Sequence, residues 1–140
     1  MDPEVKKAIY SAVAKEPFAC FMGMELKDLN WGHSVVEMTY RPSAMNNIYD
    51  RAHGGALFAL IDEAFETASQ TDGTIAVALN VNTTYVASPA PGVRLRAEAC
   101  LNSRTRKTAN FEIKVTDAQG QLIALCQAMA YRTGKAIPFL

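Results

Sequence analysis

The chain has 140 residues, 49% of them apolar and 20% charged, with 14 Lys+Arg balanced by 14 Asp+Glu. That size suits one domain, residues 1–140, with a real core, and the zero net charge leaves no global field to attract nucleic acid or an anionic membrane. No apolar run reaches membrane-spanning length, and two histidines with three scattered cysteines (Cys20, Cys100, Cys126) argue against a multi-histidine metal site or a disulfide framework.

The start, Met1-Asp2-Pro3-Glu4, has no signal-peptide character, so a reducing cytoplasm is the expected setting. Val5, Ile9 and Val13 recur at helical spacing and predict an amphipathic helix over 3–14. Pro17 to Met22 predicts one more helical turn, giving a helical extension over about 3–22. Its Phe18 and Phe21 are either core residues or pocket lining. Gly23–Asn30 and Ser34–Tyr40 read as strands joined by a turn at Trp31-Gly32-His33, with Val36, Met38 and Tyr40 on one face. His33 reads as a solvated turn residue.

Residues 41–53 form a loop longer than a bare connection needs. It carries Asn46, Asn47, Tyr49 and His53 and ends in His53-Gly54-Gly55. A long helix pattern follows from Gly54 to about Gln70, with Leu57, Leu60, Ile61, Ala64, Phe65 and Ala68 on one face and Asp62 near its boundary. Asp72-Gly73 stops it.

Four alternating segments complete the chain: Ile75 to about Ala87, Val93–Leu101, Phe111–Val115 and Ile123–Tyr131. Separated by Ser88–Gly92, Asn102–Lys107 and Asp117–Gly120, they predict an antiparallel meander with one buried face per strand. On the last strand Ile123, Leu125, Met129 and Tyr131 alternate with small residues, which would let a further layer pack closely. The economical arrangement is α+β: a six-stranded antiparallel sheet wrapped around the long central helix.

The helix start is the chemically informative feature. Two glycines there are costly unless something approaches the backbone, and first-turn N–H groups lack intrahelical partners at the positive end of the dipole. Gly54 and Asp62 lie about 12 Å apart along the axis and about 80° apart around it. One substrate atom cannot meet both, since reacting partners stand at about 3–3.5 Å. If both act in one site, the second comes from another copy, as two antiparallel helices about a two-fold axis would provide. From the residues alone, the alternative stays open that His53-Gly54-Gly55 is a tight turn and Asp62 a solvated acid.

Asn47, His53-Gly54-Gly55 and Asp62, with Ala52, Phe58, Leu60, Ala64 and Phe65 around them, resemble the hotdog-fold acyl-CoA thioesterases of the phenylacetate-pathway (PaaI) type. The resemblance extends over about 20–133. Thr84-Tyr85, Ser88-Pro89-Ala90 and Gly92 resemble the family's third-to-fourth-strand connection, and Arg106-Lys107-Thr108 its turn before the fifth strand. Ile48 stands where a glycine often follows the asparagine, and Ala78, with Asn80 nearby, stands where many relatives carry Ser or Thr.

The resemblance implies a thioester hydrolase acting on aryl- or medium-chain acyl-CoA. It implies a homodimer, often paired again into a tetramer. The Gly54 N–H would polarise the carbonyl, and Asp62 of the opposing subunit would serve as nucleophile or base. Asn47 and His53 would place water, leaving sulfur or loop. Gly55, Val86 and Ser88 are expected beside the substrate. Arg104, Arg106 and Lys107 are expected either on the CoA phosphates or as a solvated turn. No metal and no cofactor are implied, coenzyme A entering as part of the substrate. The rival reading is a non-catalytic acyl-CoA binding or sensing protein on the same fold.

Overall fold

The computed structural model describes all residues 1–140. Two helices, α1 (Pro3–Val13) and α2 (Pro17–Met22), precede strands β1 (Met24–Asn30) and β2 (His33–Thr39). A short helix α3 (Pro42–Met45) and the long helix α4 (Gly54–Ser69) follow. Strands β3 (Thr74–Tyr85), β4 (Arg94–Arg104), β5 (Thr108–Asp117) and β6 (Leu122–Ala136) complete the chain. The six strands form one antiparallel sheet, in the order β1-β2-β4-β5-β6-β3. No helix is long and apolar enough to cross a membrane.

The α4 residues Leu57, Leu60, Ile61, Ala64, Phe65 and Ala68 are buried, as their spacing predicts. They share one core with small strand residues, Ala97, Ala99, Ala109, Ala128 and Ala130, and with larger ones such as Leu95, Ile113 and Val115. Phe65 meets Phe111 edge to face, with centroids 5.4 Å apart. Helix α1 adds Val5, Ile9 and Val13 to this core, and α2 adds Ala19 and Met22.

Three local expectations change. His33 is not a turn residue: it opens β2, pairs with Asn30, and sets Nε2 2.8 Å from Glu98. The last four strands are not a simple meander. Both edges of β4 are taken, by β2 and β5, so β3 pairs with β6 at the sheet edge and the 86–93 connection passes two strands to reach β4. Finally, β6 buries mainly its small face, Ala124, Cys126, Ala128 and Ala130, together with Ile123 of the bulky set, while Met129 is 36% exposed. The close-packed layer that small side chains permit is α4 itself. On the edge strand β3, Val77 and Leu79 are exposed, an arrangement that an isolated chain leaves open to pairing.

The end of α4 is tied to the sheet through Asp72. Its carboxylate accepts the Thr74 N–H at 3.0 Å and the Thr74 hydroxyl at 2.6 Å, and pairs with Arg132 and, at 3.6 Å, with Arg104. Burial alone would raise the Asp72 pKa. The Thr74 and Arg132 contacts outweigh it and hold the group below the ordinary carboxylate range. A depressed native pKa stabilises the fold above the unfolded-state pKa, and that contribution is lost as pH falls through the native value. Asp72→Asn is therefore expected to lower stability by about 1–3 kcal/mol at neutral pH. The gap to wild type should close on acidification, as read by urea denaturation across pH.

Candidate active site

The loop before α4 is built by its own side chains. The Tyr40 hydroxyl donates to Asn46 Oδ1, and Asn46 bridges to Ala52. Asn47 donates its N–H to the Arg51 carbonyl at 2.7 Å, and its Oδ1 accepts the N–H groups of Tyr49 at 2.9 Å and Arg51 at 3.1 Å. Asp50 takes the left-handed conformation, φ 55°, which lets the chain turn inside this ring of bonds. The Asn47 amide oxygen is thus spent on the loop, and only its Nδ2 remains for a ligand.

His53 is the N-cap of α4. Its N–H donates to the Met45 carbonyl at 2.8 Å, and its Nδ1 accepts the Gly55 N–H at 2.9 Å. Accepting at Nδ1 assigns the ring proton to Nε2. A Cβ on Gly55 would stand 3.0 Å from Nδ1, so a side chain there would press on the capping nitrogen. With the Gly55 N–H taken, the Gly54 N–H is the first-turn donor without an acceptor in the chain.

Tyr85, at the end of β3, covers this helix start. Its hydroxyl donates to the Gly54 carbonyl at 3.1 Å, and a Cβ on Gly54 would meet the ring at 3.1 Å. Gly54, Asn47, Tyr85, Val86 and Ser88 line one open cleft of about 400 Å³, with Leu57 as an apolar wall and Arg51 at its side. The cleft thus gathers four of the expected site residues: Asn47, Gly54, Val86 and Ser88. Tyr85 and Arg51 were not foreseen as site residues. An aromatic side chain ending a strand was the available signal for the first, and nothing in the local pattern marked the second.

The structure separates the rest. Asp62 lies outside this cleft, eight residues along α4, and is half-buried. Burial pushes its pKa upward. The basic turn lies at the other end of α4, a helix of 16 residues and so about 24 Å long. There Arg104 reaches Asp72 and stacks over Trp31 at 5.2 Å, and Lys107 donates to the Tyr131 hydroxyl at 3.1 Å. The Arg106 guanidinium makes no hydrogen bond or ion pair, while Arg132 holds the Thr105 and Arg106 carbonyls of that turn. Phe18 and Phe21 are exposed and lie outside the cleft. Within one chain the arrangement offers a donor-lined cleft at one point of the helix and a desolvated acid at another.

Comparison with known proteins places the chain in a family. The thioesterase superfamily matches residues 49–124, more than half the chain: the end of the loop, all of α4, strands β3 to β5 and the start of β6. The acyl-coenzyme A thioesterase PaaI of Escherichia coli is 28% identical over 83% of this chain and 82% of its own length. The solved structure of the E. coli PaaI protein from the phenylacetic acid degradation operon superposes with a TM-score of 0.90, 26% identity, and 96% of both chains covered. A mutant of the phenylacetic acid degradation protein PaaI of Thermus thermophilus gives a TM-score of 0.79 at 34% identity, over 84% of this chain and 99% of the other. A Streptococcus mutans protein bound to acetyl CoA gives 0.76 at 26%, over 81% and 91%. The chain belongs to the thioesterase superfamily, as a PaaI-like hotdog-fold thioester hydrolase.

Proposed function

We propose that this protein hydrolyses acyl-CoA thioesters in sites shared between two protomers. The observation that carries the reading is the unpaired Gly54 N–H, presented in a cleft from which the chain's own Asp62 is excluded. Support for the substrate comes from the E. coli relative, an acyl-coenzyme A thioesterase, and from the acetyl CoA held by the S. mutans structure.

In this reading two α4 helices pack antiparallel about a two-fold axis. The Gly54 N–H of one protomer donates to the thioester carbonyl and stabilises the oxyanion that forms when the carbonyl carbon is attacked. Asp62 of the other protomer either removes the proton of the attacking water or attacks directly. The carbon–sulfur bond then breaks, and CoA leaves as the thiol. Asn47 directs Nδ2 toward the water or sulfur. His53 and Gly55 hold the helix start in shape, and Tyr85 fixes the Gly54 peptide. Val86 and Ser88 flank the acyl–sulfur region. Leu57, Tyr85 and Phe58 offer apolar surface for an aryl or medium-chain acyl group. Arg106, with Arg104 and Lys107, meets the CoA phosphates. The dimer pairs again into a tetramer. The chemistry needs no metal and no cofactor beyond the CoA carried by the substrate.

Asp62→Asn is expected to lower kcat by at least about a hundredfold, the lower range of a general base's contribution. A thiol reagent across aryl- and medium-chain acyl-CoAs gives the rate, and light scattering checks that the assembly is intact. Unchanged turnover in that variant rejects the role given to Asp62. Gly54→Pro removes the N–H at a helix position that accepts proline. It is expected to cost about 10²–10³ in kcat. Gly54→Ala adds a Cβ but keeps the donor, so its loss should be clearly smaller.

The shared site has its own test. When Asp62→Asn and Gly54→Pro chains are unfolded together and refolded, half of the dimers are mixed, and each mixed dimer holds one whole site of two. About a quarter of wild-type activity should return. If none returns while mixed dimers form, the two residues do not meet across subunits.

A further inference from the structure

Away from the cleft, the N-terminal helices close over α4 around three carboxylates. Glu16, the N-cap residue of α2, makes no side-chain capping bond. Glu63 and Glu66 face it from α4, and the three line one cavity of about 270 Å³ with Ile9, Val13 and Phe139. One oxygen from each lies within 4.8 Å of the others. None of the three forms an ion pair, and Lys15, in the same cavity wall, reaches none of them.

Glu63 makes this more than a surface acid cluster. Its residue is 4% exposed, and its Oε1 is buried with no hydrogen-bond partner. A buried carboxylate oxygen without a donor costs free energy that a native fold ordinarily offsets. Burial first, then the charges of Glu16, Glu66 and Asp62 and the side-chain contact with Glu16, push the Glu63 pKa up to about 8.

We propose that Glu16, Glu63 and Glu66 bind one hard divalent cation that clasps the N-terminal helices to α4. An all-carboxylate set selects calcium, magnesium or manganese over softer metals. Oxygens within 4.8 Å of one another can share a single ion, and the flexible shell of about six to eight oxygens around calcium accommodates such a set most readily. Water completes the shell through the open side of the cavity, where Glu66 is exposed. The ion joins a residue outside the thioesterase match, Glu16, to two within it, Glu63 and Glu66. None of the three carboxylates lines the Gly54 cleft.

The test uses the full chain stripped with chelator and held in mildly alkaline buffer. Calorimetric titration should find one calcium ion per chain. The Tm should rise with calcium and saturate, beyond any rise from potassium chloride of equal ionic strength. Glu63→Gln, isosteric and uncharged, should lose that rise while its calcium-free Tm equals or exceeds that of the stripped wild type. Glu16→Gln should weaken calcium binding by about tenfold or more through loss of one charged ligand. The proposal is overturned if calcium, magnesium and manganese all act no better than potassium chloride. It is equally overturned if Glu63→Gln keeps the full response, since the cluster then holds protons or another partner.

Discussion

A helix cannot bring its own first N–H and a carboxylate two turns further on to the same atom. That rise of about 1.5 Å per residue is the constraint on which the functional reading depends. It turns a short motif into a statement about assembly. The structure gives the constraint a local form: His53 takes the Gly55 N–H, Tyr85 holds the Gly54 carbonyl, and the Gly54 N–H is left facing the cleft. The same helix carries Asp62 out of that cleft to a half-buried position whose partner space belongs to a second copy in the proposed pairing.

The two glycines have different reasons to be there. Gly55 lies under the His53 ring, where a side chain would collide with the capping nitrogen. Gly54 lies under the Tyr85 ring and keeps an N–H with no acceptor in the chain. One serves the helix and the other the ligand. A reading that assigns both N–H groups to the substrate overcounts the donors by one, because the cap has already used the Gly55 proton.

The local parts of the fold were legible from the sequence because their causes are local. Apolar spacing fixed the face of α4, glycines marked its two ends, and alternation located the strands. What was not legible has non-local causes. Alternation says that a segment is a strand but not which edge it joins, so β3 seemed to neighbour β4 when β2 and β5 had already filled that strand's two edges. Hydropathy ranked the bulky face of β6 as the buried one. Proximity to α4 instead selects the face with less volume, Ala124, Cys126, Ala128 and Ala130. In the site, Asn47, His53, Gly54 and Asp62 were visible as residue types at telling positions. Tyr85 reaches Gly54 only through the placement of β3, and the burial of Glu63 depends on α1 and α2 folding back over α4.

Charge along α4 is distributed in three zones that bear on how such helices pair. The start presents an unpaired N–H with Arg51 beside it, the middle carries Asp62, Glu63 and Glu66, and at the far end Arg104 and Arg132 pair with Asp72. In the proposed antiparallel pairing each start would lie near the partner's middle, and unlike charge would meet at Asp62. Glu63 is different: it is turned away under α1 and α2, and Glu16 faces it from the extension. A second copy can therefore balance Asp62 without reaching Glu63. The two acids are adjacent in sequence, yet the first is open to a neighbouring protomer and the second is open only to what the N-terminal helices enclose.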